Sequence, residues 1–499
     1  MDTSNQTKPD YHKWVLMLLI GLTLVRIYWL FLTPLNLHGD EAQYWAWSRS
    51  FDWGYFSKPP MIAWVIGSTT ALFGNEEWAI RLSSPLIHAA TAYILFRTGR
   101  FMFDARTGFF ATCLYFLMPA VWLSSGIVST DVTLLLFWAI ALNAWAHIRD
   151  MPTLKWAALL GVAIGLGMLS KYAMLFFILA LAIVSIFDRK SRIAMFSRHG
   201  LVAAILAIAI VLPNILWNAA NDFQTIGHTA ANANLKENLF HPAELLEFVV
   251  SQFGVFGPVT FLLLIAALVY TMRGKLDRKA VLLLGFVLVP LLAICVQALL
   301  SRANANWAVS SYIGGTLLAA HFITRYFTRV GKAGIWLNTV VCAVFLGVAL
   351  SPVLTNQIGF ANSVKRMRGW PTTVDHISAA AKQGHDGKQF SAIATDQRLT
   401  FFELRYYGVE EKSGLPLKAW LFSKHIHDHA EANWPLPAST VDEAPILVVN
   451  YFQNRDKFLR QDFARLEPLP AVTIELGGGK SRVYYLWAGY GYTSTENYR

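Results

Sequence analysis

Charge is scarce in this chain. Of its 499 residues, 15% are Asp, Glu, Lys or Arg and 55% are hydrophobic, with a mean hydropathy of +0.41. Soluble domains carry about a quarter charged residues, so the deficit excludes a soluble enzyme and places the chain in a membrane. Cysteine is scarcer still. Cys113, Cys295 and Cys342 all lie in apolar runs without a Cys-x-x-Cys neighbour. This excludes a disulfide framework or zinc–thiolate site and leaves buried small hydrophobes. The polar start, residues 1–10, is followed by an apolar run with no small-residue cleavage motif; that run reads as a retained anchor rather than a secretory leader. There is no internal repeat. The net charge of +11 is spread between apolar runs rather than gathered into a patch, which argues against nucleic-acid binding.

What the chain does have is a succession of apolar segments. A spanning helix takes about 20 apolar residues, and the runs at 14–34, 78–96, 107–124, 132–148, 156–170, 172–187, 200–217, 255–271, 280–300, 308–324 and 334–351 give about eleven candidates. Residues 61–73 are apolar but short, as in an interfacial or re-entrant helix. The cationic groups that punctuate the runs, among them Lys8 and Lys13, Arg97 to Arg106, Arg189 to Arg198, Arg273 to Lys279 and Arg325 to Lys332, all fall on the side of the N-terminus. The positive-inside rule makes that side cytoplasmic.

From about residue 352 the composition turns mixed. Residues 391–394, 445–449, 472–476 and 482–486 read as strands, 374–382 as a helix, and Gly477-Gly478-Gly479 as a hairpin turn rather than a phosphate loop. The expected architecture is a polytopic α-helical membrane protein, residues 1–351 with an outer loop at 35–77, followed by a periplasmic α/β domain over 352–499.

On the outer side charges are few: Asp40, Glu41, Lys58, Arg81, Asp131, Lys171, Lys236 and Arg302. Charge at a membrane boundary is costly and marks function by default. Asp40 and Glu41, in His38-Gly39-Asp40-Glu41-Ala42-Gln43-Tyr44, suit general-base work on a hydroxyl; helix capping would explain one acid but not both. Lys58, stiffened by Pro59-Pro60 and preceded by Tyr55, offers a fixed point charge for a phosphate, the alternative being a snorkelling lysine. Ser129-Thr130-Asp131 fits either an N-cap or a site. Lys171 stands unpaired in a tight apolar corner. Arg302, Asn304, Asn306, Trp307 and Tyr312 form a set suited to sugar or phosphate, with an aromatic belt as the alternative. His228, His241, Asp222 and Glu244 show no diagnostic metal spacing, and a divalent cation on Asp40 and Glu41 stays open. His425, His427 and His429 read as solvated.

The stretches Asp40-Glu41-Ala42-Gln43-Tyr44, Phe56-Ser57-Lys58-Pro59-Pro60, Gly165 to Tyr172 and Asn306-Trp307-Ala308 through Tyr312 resemble the GT-C membrane glycosyltransferases. The bacterial branch near the protein O-mannosyltransferases (glycosyltransferase family 39) and the lipid A aminoarabinose transferases (family 83) is the most similar. The resemblance covers residues 14–351. It implies a polyprenyl-phosphate-linked sugar as donor and inverting transfer on the periplasmic face. By motif match it also implies that Asp40 acts on the acceptor with Glu41 supporting it, and that Lys58 holds the lipid phosphate. The aminoarabinose branch tends to carry Arg where Gln43 stands.

The resulting expectation is a glycosyltransferase moving sugar onto a membrane lipid or glycolipid hydroxyl. Asp40 and Glu41 are catalytic, and Lys58, Lys171 and Arg302 clamp the phosphate. Tyr44, Tyr55, Asp131, Asn304, Asn306, Trp307 and Tyr312 line the substrate. The residues call for no particular cofactor, and a divalent metal stays open. The alternatives are a transporter or flippase of a lipid-linked sugar, and a non-catalytic scaffold. A transporter would show paired repeats and broken helices at corresponding positions, and the sequence suggests neither.

Overall fold

The computed structural model describes residues 9–234, 239–420, 436–452 and 456–493. Lys236 and the histidines at 425, 427 and 429 lie outside them. In chain order the helices are α1 (Tyr11–Leu32), α2 (Gly39–Ser48), α3 (Met61–Phe73), α4 (Glu77–Arg81), α5 (Ser83–Met102), α6 (Ala105–Phe116), α7 (Pro119–Ser124), α8 (Thr130–Asp150), α9 (Leu154–Ser170), α10 (Leu175–Phe187), α11 (Arg189–Met195), α12 (Arg198–Ala220), α13 (Gln224–Ala231), α14 (Pro242–Phe256), α15 (Pro258–Met272), α16 (Arg278–Leu300), α17 (Ser311–Tyr326) and α18 (Thr328–Leu350). The chain forms two compact units, one of residues 1–32 and 52–346, the other of 33–51 and 347–499.

In the first unit, six helical segments among the described residues are long and apolar enough to cross a bilayer: α1, α4 with α5, α8, α12, α16 and α18. The other apolar runs are shorter or interrupted, and the expectation of unbroken helices does not hold. Pro119 cannot donate a backbone hydrogen bond, so the run at 107–124 stops at Phe116 and restarts as α7. Arg26 of α1 donates to the freed Phe116 carbonyl (2.5 Å), and its guanidinium lies 4.0 Å from the Phe116 ring centroid. A buried arginine in a spanning helix thus serves a helix break. At Gly257 α14 turns into α15 through 111°. Gly257 has φ 94°, and a Cβ there would collide with the buried Asn338 amide, which donates to Phe256 O (3.3 Å).

The core runs through α8. Trp138 meets Phe177 edge-on (5.2 Å), and Trp145 packs on Phe286 (4.8 Å). At the end of α10, Asp188 joins three segments. It accepts from Arg149 (2.8 and 3.3 Å), Arg278 (3.2 Å) and the Ser191 backbone and hydroxyl (2.9 Å each). Burial would raise its pKa, but these donors outweigh it and hold the carboxyl at about 2.

The second unit is built on a five-stranded mixed sheet of β1 (Ala392–Thr395), β2 (Leu417–Ala419), β3 (Ile446–Asn450), β4 (Phe463–Gly477) and β5 (Lys480–Tyr492), in the order β2-β1-β3-β5-β4. β1 runs parallel to β2 and β3, whereas β5 is antiparallel to β3 and β4. The parallel strands are short and apolar because both faces are covered. Gly477, Gly478 and Gly479 turn β4 into β5 with φ of 83°, 60° and 68°.

Residues 33–51 belong to this unit. Asn36 N donates to Met367 O (2.9 Å), Leu37 N to the Tyr407 hydroxyl (2.8 Å), and Trp45 meets Tyr406 edge-on (5.0 Å). α2 therefore packs on the helix Arg398–Tyr406 that follows β1.

Candidate active site

The acidic pair opens α2. His38 is the N-cap: its Nδ1 accepts from Asp40 N (3.3 Å), and Glu41 Oε2 accepts from His38 N (2.9 Å). Glu41 is buried and completes this capping box, so capping accounts for one acid. Asp40 stands between the cap and a cation, with its Oδ2 3.8 Å from His38 Nδ1. Its Oδ1 lies 3.0 Å from the Arg398 guanidinium, which also donates to the Gln43 side-chain oxygen. One terminal guanidinium nitrogen, Nη1, therefore holds two residues a turn apart on α2. Tyr44, one residue on, is buried and packs on Trp47 (5.5 Å).

In the membrane unit, Asp131 is buried in the first turn of α8 and does not cap it. One carboxylate oxygen takes Lys171 Nζ at 2.6 Å, and the other takes Asn306 Nδ2 at 2.7 Å. Lys171, read from the sequence as unpaired, is thus half of an ion pair. The expectation missed this because the partners stand 40 positions apart. Next to it, the Tyr172 hydroxyl donates to Asn214 Oδ1 (3.0 Å) and Asn214 Nδ2 donates to Trp53 O (2.6 Å), which fastens the segment before Lys58 to this corner. Tyr55 N donates to Lys58 O (3.1 Å), and the Thr225 hydroxyl donates to Tyr55 O (2.6 Å). The Lys58 turn is thus fixed at both backbone faces.

Arg302 and Asn304 are exposed, and Trp307 is half-buried. Tyr312 is 1% exposed, stacks on Phe256 (4.7 Å) and donates its hydroxyl to Gln252 Oε1 (2.6 Å). Gln252 in turn donates to Ala305 O (3.2 Å). Tyr312 therefore supports the turn at 305–308 from the core instead of facing a ligand.

Among the described residues, the three side chains grouped closely enough to hold a metal are His385, Asp386 and Glu467, where Arg465 also pairs with Glu467 (3.2 Å). Asp40 and Glu41 are engaged by Arg398 and the helix cap as described.

Lipid A galacturonosyltransferase RgtD of Rhizobium johnstonii is 35% identical over 396 residues, covering 78% of this chain and 82% of that protein. The chain belongs to this family of membrane glycosyltransferases. The family model for dolichyl-phosphate-mannose-protein mannosyltransferase matches residues 57–217. An undecaprenyl phosphate-alpha-4-amino-4-deoxy-L-arabinose arabinosyl transferase of Pseudomonas fluorescens is 30% identical over 234 residues, 42% of this chain and 39% of that protein. In fold, the glycosyltransferase resembles the crystal structure of ArnT from Cupriavidus metallidurans bound to undecaprenyl phosphate. The TM-score is 0.63 at 16% identity, covering 95% of this chain and 98% of that one. The GT-C architecture expected from the motifs is thus present, and the transporter and scaffold alternatives are set aside.

Proposed function

We propose that this glycosyltransferase moves a sugar from a polyprenyl-phosphate donor to a hydroxyl of a lipid A-type glycolipid, on the face of the membrane opposite its N-terminus. The 35% identity to a lipid A galacturonosyltransferase over most of the chain carries the reading. The sugar is a hexuronic acid. The relative aligned over 78% of the chain moves galacturonic acid, whereas the aminoarabinose transferase aligns over 42%. With few cations in the outer loops and many in the others, the N-terminus is cytoplasmic and the 352–499 domain periplasmic.

Asp40 accepts the proton of the acceptor hydroxyl as the oxygen attacks the anomeric carbon. The bond from that carbon to the phosphate oxygen breaks, and the lipid phosphate leaves with the bonding pair, giving inversion. Arg398 keeps the Asp40 carboxylate oriented. Lys58 holds the lipid phosphate, with Arg302 as a further cation, while Lys171 stays paired with Asp131; stabilising the charge that develops on a leaving phosphate is worth several kcal/mol. Tyr44, Tyr55, Asn304, Asn306 and Trp307 contact the sugar or acceptor.

The test compares lipid A by mass spectrometry in three strains: one lacking the protein, one restored with wild type, and one restored with Asp40→Asn at equal membrane abundance. A hexuronic acid increment present only with wild type supports both sugar and base. An aminoarabinose increment corrects the sugar, and full restoration by Asp40→Asn removes Asp40 from the chemistry.

A further inference from the structure

The N-terminal side of the membrane unit carries a feature that sugar transfer does not use. A cavity of about 550 Å³ lies among α1, α6 and α18. Arg106, in the first turn of α6, and Lys332, in the first two turns of α18, stand at its polar end, and both are exposed. One to two helical turns deeper, at a rise of ~1.5 Å per residue, its walls are Phe110 and Trp336, then Cys113 and Thr339. Trp336 is 69% exposed. The site thus has a cationic rim and an aromatic, apolar floor, open towards the bilayer.

The charges are unbalanced in a specific way. No carboxylate lines this cavity. Among the described residues, neither Arg106 nor Lys332 makes an ion pair, and the one polar side-chain contact of Arg106 is its donation to the Thr328 hydroxyl (3.0 Å). Arg106 also borders a second cavity of about 500 Å³, which differs in this respect. There Asp277 faces His321 (2.8 Å) and Arg325 (3.5 Å), and Asp104 adds a second carboxylate. Arg278, Lys279 and Arg325 at the second cavity each have a carboxylate within 4.0 Å, whereas Arg106, which borders both cavities, and Lys332 have none among the described residues.

We propose that the α1–α6–α18 cavity binds an anionic phospholipid of the leaflet on the N-terminal side. Its phosphate lies between Arg106 and Lys332, and an acyl chain runs along Phe110 and Trp336. A fork of guanidinium donors and an ammonium at headgroup depth match a phosphodiester, and the apolar floor matches a chain that a free anion lacks. A zwitterionic lipid brings its own cation and gains less from the same rim. The inference does not depend on the sugar or on Asp40.

The full-length protein, delipidated in detergent, is titrated with phosphatidylglycerol, phosphatidylcholine and inorganic phosphate and read by native mass spectrometry. Phosphatidylglycerol adducts should form about tenfold more tightly than phosphatidylcholine adducts, and Arg106→Gln with Lys332→Gln should remove that preference. Trp336→Ala should weaken phosphatidylglycerol binding without altering binding of inorganic phosphate. Lys155→Gln, an exposed cation outside the cavity, should bind as wild type. Should the double variant fail to elute as folded protein, Lys332→Gln alone carries the test and should reduce the preference about threefold. Equal binding of the two lipids overturns the proposal. So does an equal loss in Lys155→Gln, or phosphate binding that competes fully with phosphatidylglycerol and ignores Trp336→Ala, which would make the cavity a plain anion site.

Discussion

Lys171 Nζ lies 2.6 Å from Asp131 Oδ1, and the Asn306 amide occupies the other oxygen of the same carboxylate at 2.7 Å. Two charges that look like separate phosphate and sugar ligands in the sequence hold one another, and they join the start of α8 and the end of α9 to the 305–308 turn. Removing either partner leaves a partly buried charge. Asp131→Asn and Lys171→Met should each cost about 1–3 kcal/mol, and the double variant should cost less than the sum, with a coupling of about 1–3 kcal/mol in a thermal-unfolding cycle. Additive losses would show that the pair contributes nothing as a pair.

Arg398 should matter to transfer without mattering much to stability. It is partly exposed, so its ion pair with Asp40 is worth at most about 1 kcal/mol. Its effect on the direction of the Asp40 carboxylate is larger. Arg398→Gln should lower kcat by one to two orders of magnitude, roughly, with little change in melting temperature. Arg398→Lys should recover only part, because both contacts run through the terminal nitrogen Nη1, which the shorter lysine side chain does not place at the same point. Unchanged kcat in Arg398→Gln would confine the residue to a structural role.

Asp188 should tolerate acid. A carboxyl held at about 2 contributes stability that is fully present above its unfolded value near 4 and is lost only as the pH falls towards 2. Melting temperature in detergent between pH 7 and pH 5, roughly, should therefore not report on it. Asp188→Asn should lose about 3 kcal/mol at neutral pH, since it leaves the Arg149 guanidinium facing a neutral amide.

Glu467 should respond to acid sooner. His385 donates to it (2.7 Å) and, with Arg465, holds the carboxyl below its ordinary value of 4.5. The contribution is present above that value and is lost as the pH falls through the depressed one. Hydrogen exchange in peptides covering 385–388 and 463–469 should rise on acidification below it. Glu467→Gln should show the raised exchange already at neutral pH and flatten the response.

Much of the fold was legible where physics is local. The run at 445–449 reads as a strand because a central strand is apolar on both faces, and β3 occupies that place. The three glycines read as a turn because positive φ is needed there. β4 was not legible in full. Pro468 and Pro470 interrupt it and argue against a strand, yet β4 is the edge of the sheet and its register shifts between Leu469 and Val472, so no hydrogen bond of an inner ladder is lost. The acidic pair stood out by its position at the end of an apolar run. Arg398 did not, because nothing in Asp396-Gln397-Arg398 announces a partner 355 positions back at Gln43. The helix breaks at Pro119 and Gly257 were visible as residues but not as breaks, because Arg26 and Asn338, which accommodate them, come from distant helices.

The placement of residues 33–51 has a consequence for biosynthesis. The chain passes between the two units three times, after residues 32, 51 and 346. α2, of 10 residues, is too short to be stable alone, since isolated helices under about 12 residues are marginal in water. It leaves the ribosome hundreds of residues before Leu399 and Tyr406, against which it packs. The acidic helix therefore has nothing to pack on until residues 398–406 have been made, and the enzyme gains its candidate base late in folding. Cutting the gene after the final spanning helix would yield an inserted but unfinished protein rather than a smaller working enzyme.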